Sequence, residues 1–146
     1  MGVLEDVFEI EKLKARYADA VDGGWTSTKA HDPDAVVALF VPEGVWDSGD
    51  YGGGEGHDGI RAFMAGGEAI MPFAFHHITN PRIDVAGDRA TGRWHALLAV
   101  TVESDAQLQA GIYDDVFVRT NEGWRFERLG FTLAATTPLP EAWTLF

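Results

Sequence analysis

Two adjacent histidines, His76 and His77, interrupt a run of strand formers in "AFHHITNP", residues 74 to 81. Imidazole titrates near neutral pH and is the side chain best suited to pass a proton between partners. Consecutive strand residues point to opposite faces, so the pair cannot share one cavity. Alternation groups His76 with Ala74, Ile78 and Asn80, and His77 with Phe73, Phe75 and Thr79; it makes neither face the interior. Near the N-terminus, Tyr17 and Asp22 offer a phenol and a carboxylate within little more than one helical turn. An Asp at a helix C-terminus meets the negative end of the dipole, a placement that either a functional role or an ordinary turn explains.

Other chemistries have little support. The chain has no cysteine, which removes thiolate nucleophiles, disulfides and Cys-ligated metals. Its serines, Ser27, Ser48 and Ser104, form no GxSxG elbow. His31, His57, His76, His77 and His95 show neither HxH nor HExxH spacing, so no metal is expected. Proton transfer remains: dehydration, isomerisation, cyclisation or retro-aldol cleavage. Each needs a base, an acid and a polar anchor in a dry pocket, and none requires a cofactor.

The elements that must bring these groups together follow from periodicity. Val3, Val7, Ile10, Leu13, Tyr17 and Val21 recur at helical spacing, and "DGG" at 22 to 24 ends that helix. Asp32 caps a short second helix with Pro33 at its first position. "EGVWDS" reads as a strand, "GDYGGGEG" as a loop that is either a flap over a pocket or plain surface, and "HDGIRAFMAGG" as a third helix. Strands are expected at 73–80, 82–86, 89–103, 109–120 and 123–134, with hairpin turns at "AGDR" and "TNEG". Helices first and strands afterwards predict an α+β fold: N-terminal helices packed into a strongly curved antiparallel sheet, a cone with a pocket in its mouth.

The chain has 146 residues, the size of a single domain spanning 1–146, with a C-terminal tail from about 135. Its hydrophobic content of 46% suffices for a core. Five Trp and nine Phe either line a cavity or simply fill the interior. A formal charge of −12 opposes binding to nucleic acid or anionic membranes. The acidic start "MGVLEDVFEI" is unlike a secretory signal, and no long apolar run is present. A cytoplasmic protein is expected. The apolar tail "TPLPEAWTLF" would cover the pocket or dock on a second subunit.

In order, "KLKARYADAVD", "DPDAVVALF", "HDGIRAFM", "FHHITNPRI" and "GIYDDVFVRTNEGWRFER" resemble the SnoaL-like proteins of the nuclear transport factor 2-like, cystatin-like cone superfamily. The resemblance runs from about residue 4 to 134 and is nearest to the scytalone dehydratase and bile acid 7α-dehydratase branch. It implies a catalytic set of Tyr17, Asp22 and His76, since the family's strand histidine precedes an asparagine by four residues, as His76 precedes Asn80. The second histidine of scytalone dehydratase falls at Trp94 or His95; Trp94 shares a face with Ala96, Leu98 and Val100 and is expected inside. Tyr113 and Asp115 match a recurrent motif. Trp25, Trp46, Phe63, Trp94, Tyr113 and Phe131 are the expected substrate-binding wall. The expected activity is a cofactor-independent dehydratase-type lyase or isomerase acting on a small hydrophobic hydroxy or keto compound. Noncatalytic relatives keep a binding or assembly module open. In either case a homodimer or larger homo-oligomer is expected through an outer sheet face carrying Leu97, Ala99, Ile112, Val116 and Val118.

Overall fold

The computed structural model describes residues 2–22 and 32–143. Helix α1 (Val3–Val21) buries Ile10, Leu13, Tyr17, Ala20 and Val21. The stripe begins one residue type away from expectation: Val3 is exposed, and Asp6 is buried instead. Arg119 grips both Asp6 oxygens at 2.7 and 2.9 Å, and Trp124 Nε1 donates at 3.1 Å, so the buried carboxylate is fully partnered. The expected glycine stop lies outside the described residues; the helix closes with Asp22 as C-cap, its N–H on Ala18 O at 2.9 Å.

Helix α2 (Pro33–Val37) starts as predicted, with the Asp32 carboxylate accepting from Ala35 N at 3.0 Å. Strand β1 (Phe40–Asp47) follows, then a 3-10 turn (Gly49–Tyr51), strand β2 (Gly53–Glu55) and helix α3 (Gly56–Ile70). The glycine-rich stretch is therefore built into the sheet rather than being a flap or plain loop. A Cβ on Gly54 would lie 2.3 Å from Gly59 O, and one on Gly53 would lie 2.2 Å from Trp46 O, so backbone approaches backbone too closely for any side chain. Helix α3 also runs past the Gly66–Gly67 pair that was expected to end it.

Strands β3 (Phe73–Ala86), β4 (Arg89–Val102), β5 (Asp105–Thr120) and β6 (Gly123–Pro138) form a meander with both predicted hairpins. The sheet order is β2-β1-β6-β5-β4-β3. β1 runs parallel to β6, so the sheet is mixed and open, not wholly antiparallel. β6, the last strand of the meander, lies beside β1, the first strand of the chain, and runs in the same direction. The segment 135–138, expected as tail, continues β6 against β5. Beyond it, Trp143 donates to Val100 O at 2.9 Å and packs on Phe73 at 6.1 Å, so this part of the tail rests on its own subunit.

β3 is one strand with a register shift between Thr79 and Arg82, where Asn80 adopts φ 57° ahead of Pro81. That bulge breaks the simple alternation. Asn80 is exposed and lies on the His95 ring at 3.2 Å, rather than facing inward with His76. The inner face collects Ala74, Trp94, Ala96, Leu98, Tyr113, Phe117, Phe126 and Leu129 against α1. The outer face leaves Leu97 and Phe75 exposed, with Ala99, Ile112, Val116 and Val118 half-buried.

Candidate active site

Asp22, held just past the last turn of α1, reaches across to β3. Its Oδ1 accepts both from His76 N at 2.8 Å and from His76 Nδ1 at 2.6 Å. Two donors on one oxygen offset the unfavourable end of the helix dipole and lock the imidazole in place. With Nδ1–H on the carboxylate, Nε2 is the unprotonated end of the neutral ring. The His76 side chain is 9% exposed and the Asp22 side chain 7%, so the pair is shielded without being sealed. His77, on the other face, is exposed. Trp94 is buried and His95 exposed, as alternation predicts.

Tyr17 stands one face-width away, its ring edge-on to His76 at 6.4 Å between centroids. Its hydroxyl accepts from Trp46 Nε1 at 3.0 Å and is hydrogen-bonded to Tyr113. Burial, first of all, pushes the Tyr17 phenol far above its ordinary range, and does the same to Tyr113. Both are neutral donors at physiological pH. Of the expected wall residues that are described, only Trp94 lines a concavity beside His76; Trp46 packs on Phe63 at 4.8 Å and Phe131 on Tyr113 at 4.9 Å, away from that lining. Trp25 lies outside the described residues.

The elements leave a concavity of about 420 Å³ between α1 and edge strand β3, with His76, Trp94 and Ile78 facing Ala15 and Ala18. Glu11 and Asp19 stand at its polar margin, and so does His77: alternation predicts that the two histidines cannot share a cavity, but on an edge strand both reach this one. A second concavity, about 430 Å³, lies on the other face around Arg82, Arg93 and Arg128. Arg128 pairs with Asp47 at 2.6 Å and Arg93 with Asp114 at 3.4 Å, and the lining of this concavity holds neither His nor Tyr. Among the described residues no group of three or more His, Asp or Glu is placed to hold a metal ion, and no helix is long and apolar enough to cross a membrane.

One functional-site neighbour escaped the sequence reading. Lys14 is buried on the helix stripe and lines the His76 concavity. Its ammonium bonds Asp115 Oδ2 at 2.7 Å and sits 3.4 Å from the Tyr113 ring centroid, with Tyr17, Trp94 and Phe126 within 5.6 Å. Burial pulls the Lys14 ammonium down to about 8 and lifts the Asp115 carboxyl to about 6, each opposed by the other's charge. The available signal was spacing: Lys14 is four residues after Ile10 and three before Tyr17.

Comparison with known proteins agrees with this architecture. The model of the SnoaL-like domain family matches residues 2–130. An uncharacterized protein of Mycobacterium tuberculosis, Rv2910c, is 31% identical over 129 residues, covering 86% of this chain and 83% of its own. Two solved structures from Novosphingobium aromaticivorans are similar. A provisionally assigned aromatic ring hydroxylase has a TM-score of 0.81 at 28% identity, covering 95% of this chain and 96% of its own. A provisionally assigned scytalone dehydratase has a TM-score of 0.79 at 23% identity, covering 97% and 93%.

Proposed function

Because the chain belongs to the SnoaL-like domain family, whose folded relatives include converters of small molecules, we propose that it is a cofactor-independent dehydratase-type lyase or isomerase for a small hydrophobic hydroxy or keto compound. The observation that carries this reading is the Asp22–His76 contact, 2.6 Å long, on the wall of a concavity large enough for a small molecule. His76 Nε2 takes a proton from substrate carbon. Asp22 keeps Nδ1–H oriented and stabilises the imidazolium that forms. Tyr17, 1% exposed and off the lining of that concavity, backs the His76 ring edge-on, its hydroxyl fixed by Trp46 and Tyr113. Trp94, Ile78, Pro81 and the two alanines on the lining suit an apolar substrate body, and the chain's negative charge disfavours anions.

The test is turnover of a panel of aryl and steroid hydroxy-ketones by the native protein and by His76→Ala. Loss of turnover with an unchanged melting temperature is expected. Retained turnover, or loss only through unfolding, would reject the dyad.

A further inference from the structure

We propose that the concavity on the outer face of the sheet is a binding site for a small phosphate monoester, whose phosphoryl oxygens are held by Arg82, Arg93 and Arg128.

The chain has 11 Lys and Arg against 23 Asp and Glu, and three of those 11 line this one space of about 430 Å³. The fold gathers them at a cost. Unbroken pairing from Thr79 with His95 would set Arg82 against Gly92, on the inner face. The register shift after Thr79 sets it opposite Arg93 instead. That shift holds Asn80 at φ 57°, a left-handed backbone that is unfavourable for a residue with a Cβ. It also places two like charges directly across an antiparallel pair, which destabilises the ladder. Arg82 is exposed and has no hydrogen-bond or ion-pair partner among the described residues. Nothing within the fold offsets the two costs, whereas an anion between the guanidinium groups would.

The other two arginines are available to such a ligand. Arg93 has Asp114 at 3.4 Å and Arg128 has Asp47 at 2.6 Å, and every side chain in these pairs is at least 42% exposed. Ion pairs so exposed are worth about 0–1 kcal/mol, so exchange for a ligand is easy. Three guanidinium groups exceed what a single carboxylate needs. A phosphate monoester is a dianion near neutral pH with three acceptor oxygens, and the planar guanidinium fork matches it two bonds at a time. The space is larger than a bare phosphate ion. Asp84, Thr91 and Val116 complete its lining beside the arginines; the first two accept from hydroxyl groups on the ligand's body, and Val116 takes its apolar part. The net charge of −12 acts mainly at a distance and is screened by salt over about 8 Å, whereas the arginines act in contact.

The probe is phenyl phosphate, titrated calorimetrically into the native protein at low salt and above about pH 7, where it is dianionic. Benzoate serves as the monoanion with the same ring. Saturable binding of one probe per chain is expected, weakened by added salt and at least about tenfold tighter than benzoate. Arg82→Ala should weaken it at least about tenfold without lowering the melting temperature, because a repulsion is removed as well. Arg82→Lys should restore only part of the affinity, since an ammonium lacks the fork. His76→Ala should bind the probe like the native protein. Absence of saturable binding, or equal affinity for benzoate, would overturn the site. So would binding that survives Arg82→Ala and disappears in His76→Ala, which would place the probe in the other concavity. A sedimenting mass that changes in Arg82→Ala while phosphate binding does not would overturn it too, making the arginines a contact between copies.

Discussion

Replacing Lys14 alone by Met tests the buried ion pair through stability, with no substrate needed. The Lys14 and Asp115 side chains are 3% and 0% exposed, and their contact is 2.7 Å. Without the ammonium, Asp115 keeps only the Gly130 N–H, at 3.3 Å, among the described donors. Breaking one side of such a pair costs about 3–5 kcal/mol, a large part of the roughly 5–15 kcal/mol that holds a domain folded. With a urea slope of about 2 kcal/mol per M for a chain of this size, the unfolding midpoint should fall by about 2 M. Lys14→Met with Asp115→Leu, which removes both charges, should return to within about 1 kcal/mol of the native protein or exceed it. The pH dependence has a definite sign. Burial holds the Asp115 carboxyl above its ordinary value, so its favourable contribution is complete below that value and is lost as pH rises through about 6. Removal of Lys14 lifts the folded carboxyl further, so the Lys14→Met deficit should widen from pH 5 to pH 7.5. Urea titrations at both pH values decide it. A deficit below about 1 kcal/mol, or one that is the same at both, would refute the account of the pair.

Asp22→Ala should destabilise by about 1–3 kcal/mol, since the His76 N–H loses its acceptor, whereas Asp22→Asn should spare stability yet lower kcat by about 10²-fold or more; denaturant titration and steady-state kinetics separate the two. Trp46→Phe removes the donor to Tyr17 at 3.0 Å and should lower kcat with less effect on KM. Gly54→Ala drives a Cβ to 2.3 Å from Gly59 O and should lower the melting temperature by several degrees in a thermal scan. On the acid side, the Arg119 fork holds the Asp6 carboxyl below its ordinary value, so its contribution persists above that value and is lost as pH falls through the lowered one. Acid unfolding of Asp6→Asn should accordingly be less steep.

Local pattern was enough for the helices, the capped start at Asp32, both hairpins and the order of helices before strands, because each depends on residues a few positions apart. It was also enough to place Trp94 inside and His95 outside. It failed where neighbours along the chain are not neighbours in space. The parallel pairing of β1 with β6 depends on which strand edge remains free after the meander closes. The bulge at Asn80 turned a residue expected beside His76 toward His95 on the other face. Periodicity could not choose between His76 and His77; family likeness pointed to His76, and the Asp22 carboxylate, 54 residues away, is what orients that ring. Lys14 and Asp115 are 101 residues apart; helical spacing put Lys14 on the buried stripe and a recurrent motif singled out Asp115, but neither signal pointed to the other. A charge is tolerated in the core only when its partner arrives there with it, and only the packing of α1 across the sheet brings the two together.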